Sequence, residues 1–469
     1  MSTIMTMRGF LTSSPGAPST AVASIGVACV AALALPLLSL PAAAAPARPS
    51  EARGPGGTRS LPLAPLTRER VLGTAPEQGL YRPSGEHFSL VGVVWDDPDA
   101  ELHGSVQVRT RSATTRKWSG WQDVETHNAD HGADPGTAER DARRVRGATA
   151  PLWVGDSDGV DVRVRGVGGG ARGGHAAGVV ARGGPAVGPE PPLPSGLRLE
   201  LVDPGEEAPP EGSPADVPRT GLHMDAARAA SAVNMDIAGF GALEIPALGR
   251  LATEQELARL AGPVAAKPYI GPRPRIVTRR GWGADESLRE RGFVYTKKVK
   301  AAFVHHTASG NKYTCAQAPS VIRGIYRYHV TGMGWRDLGY NFLIDKCGTI
   351  YEGRAGGVAK AVLGAHTRGF NSDSTGIAVI GSYGATKPPG AAVTAVARLT
   401  AWKLGLYGAD PRGKTYLTSG GGNLYPKGKN VRLNVISGHR DGFATECPGK
   451  RLYAELGTAR SSAARYQGR

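Results

Sequence analysis

The chain has 469 residues, including 66 glycines and 35 prolines, and is long enough for several domains joined by linkers. Its 56 Lys and Arg against 40 Asp and Glu give a formal net charge of +16, which favours an anionic partner such as a wall polymer, a membrane surface or a nucleic acid. The sequence has no run of basic residues interleaved with aromatic side chains, so no nucleic-acid partner is expected.

The N-terminal part contains an uncharged apolar stretch, AVASIGVACVAALALPLLSL at 21–40, followed by the small-residue sequence PAAAAPA. This order is typical of a secretory signal peptide, and we predict one over residues 1–44. An apolar stretch of this length also fits an uncleaved membrane anchor, but Pro36 and the alanine run after it favour cleavage. The protein is therefore expected to be exported.

Residues 45–79 are rich in Pro, Gly and Arg without apolar periodicity, and predict a linker. Short alternating runs then follow between 80 and 203: FSLVGVVW, SVQVRTR, PLWVG, VDVRVRG and LRLELVD. They predict a β-sandwich-like accessory domain. Within it, the polar stretch HNADHGADPGTAERDARRVRGA predicts a surface loop, and the glycine-rich residues 164–196 a low-complexity insertion.

Residues 204–268 predict a second linker, because their alanine-rich pieces have helical character but too few large apolar residues for a core. Between 269 and 466 strand and helix patterns alternate, as in AAFVHHT, YNFLID, STGIAVIGS and AAVTAVARLTAWKLGLYG. This alternation predicts an α/β domain of about 200 residues.

The cysteine count raises a question about one sulfur atom. Once a signal peptide is removed, Cys315, Cys347 and Cys447 remain, an odd number for a protein in an oxidising space. One sulfur therefore needs another role, and for Cys447 the alternatives are a disulfide partner, a buried small hydrophobe or a ligand.

The histidines near the end of the chain offer metal ligands. A hydrolytic zinc site takes three protein ligands and leaves its fourth position to water. FVHHTAS supplies His305 and His306, which face opposite sides of a strand, and periodicity does not decide which one faces a site. SGHRD supplies His439 and TECPG supplies Cys447, although a spacing of eight residues also fits a buried core histidine and an inert thiol.

Four sequence blocks favour metal ligands over a core histidine and an inert thiol: AAFVHHTAS, GWRDLGYNFLIDKCGTIYEGRAGG, GAHTRGFNSDSTGIAVIGSY and ISGHRDGFATECPG. In this order they resemble the peptidoglycan recognition protein domain and the related phage-type N-acetylmuramoyl-L-alanine amidases, over roughly residues 269–460. The resemblance implies a central mixed β-sheet flanked by helices. It also implies a Zn²⁺ cofactor, with His305, His439 and Cys447 as its ligands.

The resemblance further implies roles for residues around the metal. Tyr340, in the GYNF block, matches the catalytic tyrosine, and Thr445 matches a second helper that is a lysine in the phage enzymes. Aromatic stacking on sugar and pairing of arginine with a stem-peptide carboxylate suggest further contacts. The candidate substrate-binding residues are His366, Trp335, Arg354 and Arg368.

The remaining two cysteines are expected to pair with each other. Cys315 precedes a predicted helix and Cys347 lies at the tip of a predicted hairpin. A disulfide closing a loop of about 33 residues would stabilise the fold by roughly 3 to 4 kcal/mol in the chain-entropy model. Cys447 then stays available for metal.

These features predict a secreted, wall-associated zinc amidase that hydrolyses the amide between the lactyl group of MurNAc and L-alanine in peptidoglycan. The alternative is a peptidoglycan- or muropeptide-binding protein without turnover, and the presence of Cys447 favours the enzyme. The basic charge also fits anionic wall polymers as partners.

Overall fold

The computed structural model describes residues 56–66, 77–126, 128, 130–166, 192–206, 221–262 and 268–469. The predicted signal peptide at 1–44 and most of the low-complexity insertion, residues 167–191, lie outside the described residues. The described residues belong to one compact unit. Across the described ranges, no helix combines the length and the apolar character that a membrane crossing requires.

The first part of the described chain is an antiparallel β domain. Its strands are β1 (Gly57–Pro62), β2 (Ala64–Pro65), β3 (Glu77–Trp95), β4 (Gly104–Ser112), β5 (Gln122–Val124), β6 (Gly147–Ala148), β7 (Leu152–Gly166) and β8 (Arg198–Asp203). They form one sheet of order β1-β8-β3-β7-β4-β5, while β2 and β6 also pair with β3. The prediction of a β-rich accessory domain is confirmed.

The prediction of a linker over residues 45–79 is wrong for β1. Its six residues pair in register with β8, from Gly57 opposite Asp203 to Pro62 opposite Arg198. An edge strand is held by backbone hydrogen bonds along one side, so it needs few large apolar side chains. Pro- and Gly-rich composition therefore did not reveal it.

Strand β3 is apolar on both faces around residues 90–95. Val91 and Val93 point into the core of the accessory domain, whereas Leu90 and Val94 on the opposite face join a cluster with residues of the C-terminal domain. Between them lies Gly92, where an added Cβ would come within 2.4 Å of the Tyr328 hydroxyl. The accessory domain is thus packed closely against the rest of the chain.

The second predicted linker, 204–268, is likewise wrong for much of its length. It contains α1 (Gly221–Ala232), β9 (Glu244–Ile245) and α2 (Arg250–Ala261). Ile237, Ile245 and Leu257 are buried in the core of the C-terminal domain, and β9 extends its sheet. These few apolar side chains suffice because they complete an existing core instead of forming their own.

The C-terminal domain is built on a seven-stranded mixed sheet of order β17-β11-β14-β12-β13-β10-β9. Its elements are β10 (Ile276–Val277), β11 (Ala301–His306), α3 (Ala318–Arg327), β12 (Phe342–Ile344), β13 (Ile350–Glu352), β14 (Ser374–Val379), α4 (Gly390–Gly405), β15 (Lys414–Thr418), β16 (Asn430–Asn434), β17 (Ile436–Gly438), α5 (Lys450–Ala454) and α6 (Leu456–Gln467). Strands β15 and β16 form a separate two-stranded sheet. This arrangement confirms the predicted α/β class with a mixed sheet and flanking helices.

Helices cover both faces of this sheet. Helices α4 and α6 share one hydrophobic cluster, and α3 lies in the other, together with Leu90 and Val202 of the accessory domain. The predicted disulfide between Cys315 and Cys347 is confirmed and joins the residues before α3 to the β12–β13 hairpin, with a Cα–Cα distance of 6.2 Å.

Candidate metal centre

The sheet brings two of the predicted ligands to one edge. Strands β11 and β17 are parallel neighbours, with Val304 opposite Gly438, so His305 and His439 follow at the same ends of adjacent strands. Their rings are 4.5 Å apart between centroids. His306 accepts a hydrogen bond from the Tyr383 amide on its Nδ1 instead, which resolves the choice between the two adjacent histidines in favour of His305.

Cys447 reaches the same place from the loop after β17. Its Sγ lies 3.8 Å from Nδ1 of His305, and it is buried and free of any disulfide. The backbone N–H of Arg440 donates to the Cys447 carbonyl at 3.0 Å, which ties the two ends of the loop together. The three predicted ligands therefore converge.

A fourth side chain, absent from the prediction, completes the cluster. His131 places Nε2 4.0 Å from the Cys447 sulfur, and its ring centroid lies 4.5 Å from that of His439. The potential ligand atoms of His131, His305, His439 and Cys447 all lie within 4.8 Å of one another. His131 belongs to the polar stretch predicted as a surface loop, and that prediction is wrong because much of the stretch is buried.

The donor atoms fit a metal ion. His439 is completely buried, yet both of its ring nitrogens lack a hydrogen-bond partner, an arrangement that is costly unless another group satisfies them. Burial lowers the pKa of His439 to about 3 and also lowers that of His305, so both imidazoles are neutral and can bind a cation. Zinc prefers such imidazole and thiolate donors, with neighbouring ligand atoms about 3.5 Å apart in a tetrahedral site.

The second ring nitrogens of two ligands have partners that orient them. Nε2 of His305 lies 3.3 Å from Nδ1 of His366, and Nδ1 of His131 lies 3.0 Å from Oδ1 of Asp130. Such contacts fix which nitrogen faces a metal. The sequence predicts a substrate contact for His366, but the structure places its fully buried ring behind His305, where it orients that ligand.

Asp130 is a buried carboxylate next to two ligand rings. Burial alone would raise its pKa, but the adjacent His131 and His439 and hydrogen bonds from His131 and Thr445 hold the pKa below its ordinary value. Its Oδ2 lies 3.6 Å from Nδ1 of His439. Asp130 thus places a negative charge against the cluster.

Tyr340 and Thr445 lie beside the cluster. The Tyr340 ring centroid is 5.5 Å from that of His305, and burial raises the pKa of its phenol well above the ordinary value. Thr445 is partly exposed and its Oγ1 accepts a hydrogen bond from the Cys447 amide at 3.1 Å. The phenol is therefore available as a hydrogen-bond donor, and the threonine shapes the loop that carries the sulfur.

The other predicted substrate contacts already have protein partners. Trp335 is buried with its ring 4.5 Å from that of His329. Arg354 and Arg368 are paired with acidic residues of the accessory domain, Arg354 with Glu139 and Arg368 with Asp99. In this conformation the cleft beside the cluster is occupied by the accessory domain, and the predicted contacts with substrate stay predictions.

The fold and the cluster define an α/β protein with a candidate metal centre at one edge of its sheet. The N-acetylmuramoyl-L-alanine amidase family matches residues 295–450, and a family described as "Rv3811 N-terminal galactose-binding domain-like" matches residues 46–191. Peptidoglycan-recognition protein SC2 of Drosophila melanogaster is 32% identical over 183 residues, which are 39% of this chain and 85% of that protein.

A second relative, peptidoglycan-recognition protein SC1a of Drosophila melanogaster, is 30% identical over 43% of this chain and 94% of its own length. Among solved structures, wild-type Drosophila PGRP-LB is 28% identical and aligns over 39% of this chain and 92% of that chain, with a TM-score of 0.31. The chain belongs to the peptidoglycan recognition protein and N-acetylmuramoyl-L-alanine amidase family.

Proposed function

We propose that this protein is a zinc-dependent N-acetylmuramoyl-L-alanine amidase that hydrolyses the amide between the lactyl group of MurNAc and L-alanine in peptidoglycan. One observation carries the proposal: His305, His439 and Cys447 converge in a buried cluster in which both His439 ring nitrogens lack a hydrogen-bond partner. This is a complete three-ligand set for a hydrolytic centre.

Zinc bound there would polarise the amide carbonyl and lower the pKa of a water molecule, which supplies a nucleophile at neutral pH. The chain orients the ligands that hold it, since His366 fixes the ring of His305 and the Arg440–Cys447 backbone hydrogen bond fixes the sulfur. The absence of HExxH from the sequence means that no glutamate base of that type is supplied.

Tyr340 has the properties of an oxyanion donor. Its raised pKa keeps the phenol protonated at neutral pH, so it donates to negative charge instead of repelling it. A donor of this kind acts strongly in a buried site because water does not compete with it. Thr445 supports the loop that carries Cys447, because its hydroxyl accepts a hydrogen bond from the Cys447 amide.

The test is digestion of purified peptidoglycan, with release of new L-alanine amino ends as the readout. We expect release from the zinc-loaded protein, loss with a chelator and recovery on adding zinc back. Cys447→Ala should abolish both zinc retention and release, while Cys347→Ser/Cys315→Ser controls for the general effect of removing cysteines. Release that persists in full with chelator present would contradict the proposal.

Binding of peptidoglycan fragments without turnover is the second candidate function. The fourth side chain at the metal cluster favours it over turnover, because four protein ligands would leave no metal position for water. The test is binding of a muropeptide to the zinc-loaded protein and to every variant that frees the cleft. Saturable binding with the muropeptide recovered uncut in each case would support this candidate over the amidase.

We also propose that the protein is exported and associates with the cell wall. The apolar N-terminal stretch and the Cys315–Cys347 disulfide support this, since stable disulfides are typical of oxidising compartments. The net charge of +16 supports binding to anionic wall polymers. Cell fractionation with N-terminal sequencing of the recovered protein tests export, and retention by purified anionic polymer at increasing salt tests the charge effect.

A further inference from the structure

Residues 130–146 of the accessory domain, here called the covering segment, cross the cleft at the metal cluster. The segment leaves the sheet after β5 and returns to it at β6. Its first two residues, Asp130 and His131, are buried among the ligands. The segment is therefore part of the centre and not only adjacent to it.

His131 adds a fourth potential ligand atom to the three predicted ones. Its Nε2 faces the Cys447 sulfur, and its ring packs edge-on against those of His439 and Tyr340. Four protein ligands are typical of closed structural zinc sites, whereas catalytic sites keep one position for water or substrate. With His131 in place, the cluster has the composition of a closed site.

A carboxylate holds the His131 ring in this orientation. Asp130 contacts its Nδ1 at 3.0 Å, which leaves Nε2 directed at the cluster. A carboxylate, histidine and metal in series is a recurring arrangement that fixes the tautomer of a ligand and increases its basicity. The pair Asp130 and His131 thus has the features of a ligand and its supporting group.

The backbone next to His131 is hydrogen-bonded to the C-terminal domain. The Gly132 N–H donates to the Ala365 carbonyl at 3.2 Å, and the Asn371 side chain donates to the Gly132 carbonyl at 2.9 Å. Gly132 has φ of +123°, a conformation that favours glycine, and a Cβ added there would lie 3.6 Å from the Trp335 ring. The turn that inserts His131 depends on this residue.

Two acidic side chains fasten the rest of the segment. Asp134 accepts from the Gly369 amide at 2.8 Å and from the Asn371 side chain at 2.6 Å. Glu139 pairs with both terminal nitrogens of Arg354 at 2.8 and 2.9 Å, and both side chains are only 7% exposed. A buried two-point pair of this kind gives a defined geometry as well as attraction.

We propose that His131 is a fourth protein ligand of the metal centre, and that the covering segment holds the protein in a latent form which must release His131 before substrate can enter. The catalytic part of this inference rests on the proposed amidase function, whereas the ligand assignment does not. The protein is latent because His131 both completes the metal site and closes it to substrate.

The first experiment reads the coordination directly, on the full-length protein loaded with Co²⁺ in place of zinc. We expect X-ray absorption to give three imidazole nitrogens and one sulfur in the unaltered protein, and one imidazole fewer in His131→Ala. Azide, a small anion that binds an open metal position, should change the visible spectrum of His131→Ala and leave that of the unaltered protein unchanged. His103→Ala, an exposed histidine of the same domain, is the matched control.

The same variant should hold its metal less tightly. Losing a supporting group near a ligand typically costs 10- to 100-fold in affinity, so losing the ligand should cost at least about 100-fold in competition with a chelator. An unaltered protein that responds to azide as His131→Ala does, with equal metal affinity, would overturn the proposal.

The second experiment measures L-alanine release from peptidoglycan. We expect His131→Ala to exceed the unaltered protein by at least about tenfold at saturating metal, since the closed state no longer competes. Gly132→Ala, which keeps every ligand but strains the inserting turn, should give a smaller increase, while Gly120→Ala, at an open position with ordinary φ, should give none.

The outcomes separate the two hypotheses. If His131→Ala shows the open-site spectrum but releases nothing, the ligand assignment stands and the amidase function fails. If the unaltered protein is as active as both variants and binds azide, the amidase function stands and the fourth ligand is refuted. Circular dichroism of each variant verifies that the fold is retained.

Discussion

The C-terminal domain and the accessory domain meet at one interface with opposite charges on its two sides. The C-terminal side contributes Arg354 and Arg368, whereas the accessory side contributes Asp99 and Glu139. His305 is held at the end of a central strand by parallel ladders on both sides. The covering segment, by contrast, has no ladder of its own between β5 and β6 and is held by ion pairs and hydrogen bonds.

The proposed ligands therefore fall into a permanent set on the C-terminal domain and a releasable one on the covering segment. Three ligands are carried by the core of one domain and remain together for as long as that domain is folded. The fourth is carried by irregular chain whose attachments can break without unfolding either sheet, as expected for segments of low local stability.

The largest effect is expected from Arg354→Ala, which breaks the attachment across the cleft. It leaves the Glu139 carboxylate buried without its partner, and removing one member of a buried pair typically costs about 3 to 5 kcal/mol. The free energy of unfolding from urea denaturation should fall by this amount. Arg354→Ala/Glu139→Ala should recover part of the loss, because the uncompensated charge is gone.

Arg432→Ala, at an exposed position of the same domain, is the control and should change the free energy of unfolding by less than about 0.5 kcal/mol. If Arg354→Ala were as stable as this control, the ion pair would not attach the accessory domain in solution.

Removing the disulfide tests the permanent side. Cys315→Ser/Cys347→Ser should lower the free energy of unfolding by roughly 3 to 4 kcal/mol, because the unfolded chain gains the freedom of the loop between the two cysteines. Zinc content should not change, since neither sulfur belongs to the cluster. A variant that unfolds normally but loses its metal would show that the disulfide supports the centre.

The sequence allowed the permanent side to be predicted and not the releasable one. His305, His439 and Cys447 lie in blocks with a fixed order, and the cysteine count left one sulfur for another role. His131 lies in a stretch rich in Asp, Arg and Gly, whose composition is that of an exposed loop. Its burial depends on partners more than 200 residues away, such as Arg354 for Glu139, and no local pattern encodes them.

Two signals in the sequence nonetheless indicated that the accessory domain packs against the C-terminal domain. Strand residues Leu90 to Trp95 lack the polar alternation of a strand with one solvent face, which indicates burial on both sides. The polar stretch also places a histidine directly after an aspartate, the order of a ligand and its supporting carboxylate in this structure. Neither signal identifies its partner, so composition alone favoured an exposed surface loop.

Tyr340→Phe separates the proposed chemistry from metal binding on the C-terminal side. Losing one oxyanion donor typically costs 100- to 1000-fold in kcat, about 2.7 to 4 kcal/mol in activation free energy. L-alanine release in the His131→Ala background should fall by this factor while zinc content stays the same. Tyr416→Phe, on an exposed tyrosine, is the control, and an equal rate in both variants would remove Tyr340 from the mechanism.

The smallest effect, taken per pH unit, concerns Lys403, a buried charge that contrasts with Arg354 because carbonyls, not a carboxylate, are its partners. Its ammonium donates to the carbonyls of Val358 and Lys360 at 2.6 and 2.7 Å, and burial lowers its pKa from 10.5 to about 7. Between these values the unfolded chain binds more protons than the folded protein. This lysine therefore makes stability increase as pH rises through that window, by at most about 1.4 kcal/mol per pH unit, and adds no slope below it.

Lys403→Met should remove this pH-dependent contribution to stability. The difference in unfolding free energy between the variant and the unaltered protein should therefore change with pH in one direction only. The variant gains most relative to the unaltered protein near pH 7, where the buried charge is most costly, and that relative gain declines toward pH 9.5. Lys414→Met, on an exposed strand residue, should show no such trend in urea denaturation. A difference that is independent of pH would mean that the two carbonyls keep Lys403 charged throughout, and that a buried cation here needs no acidic partner of the kind Glu139 gives Arg354.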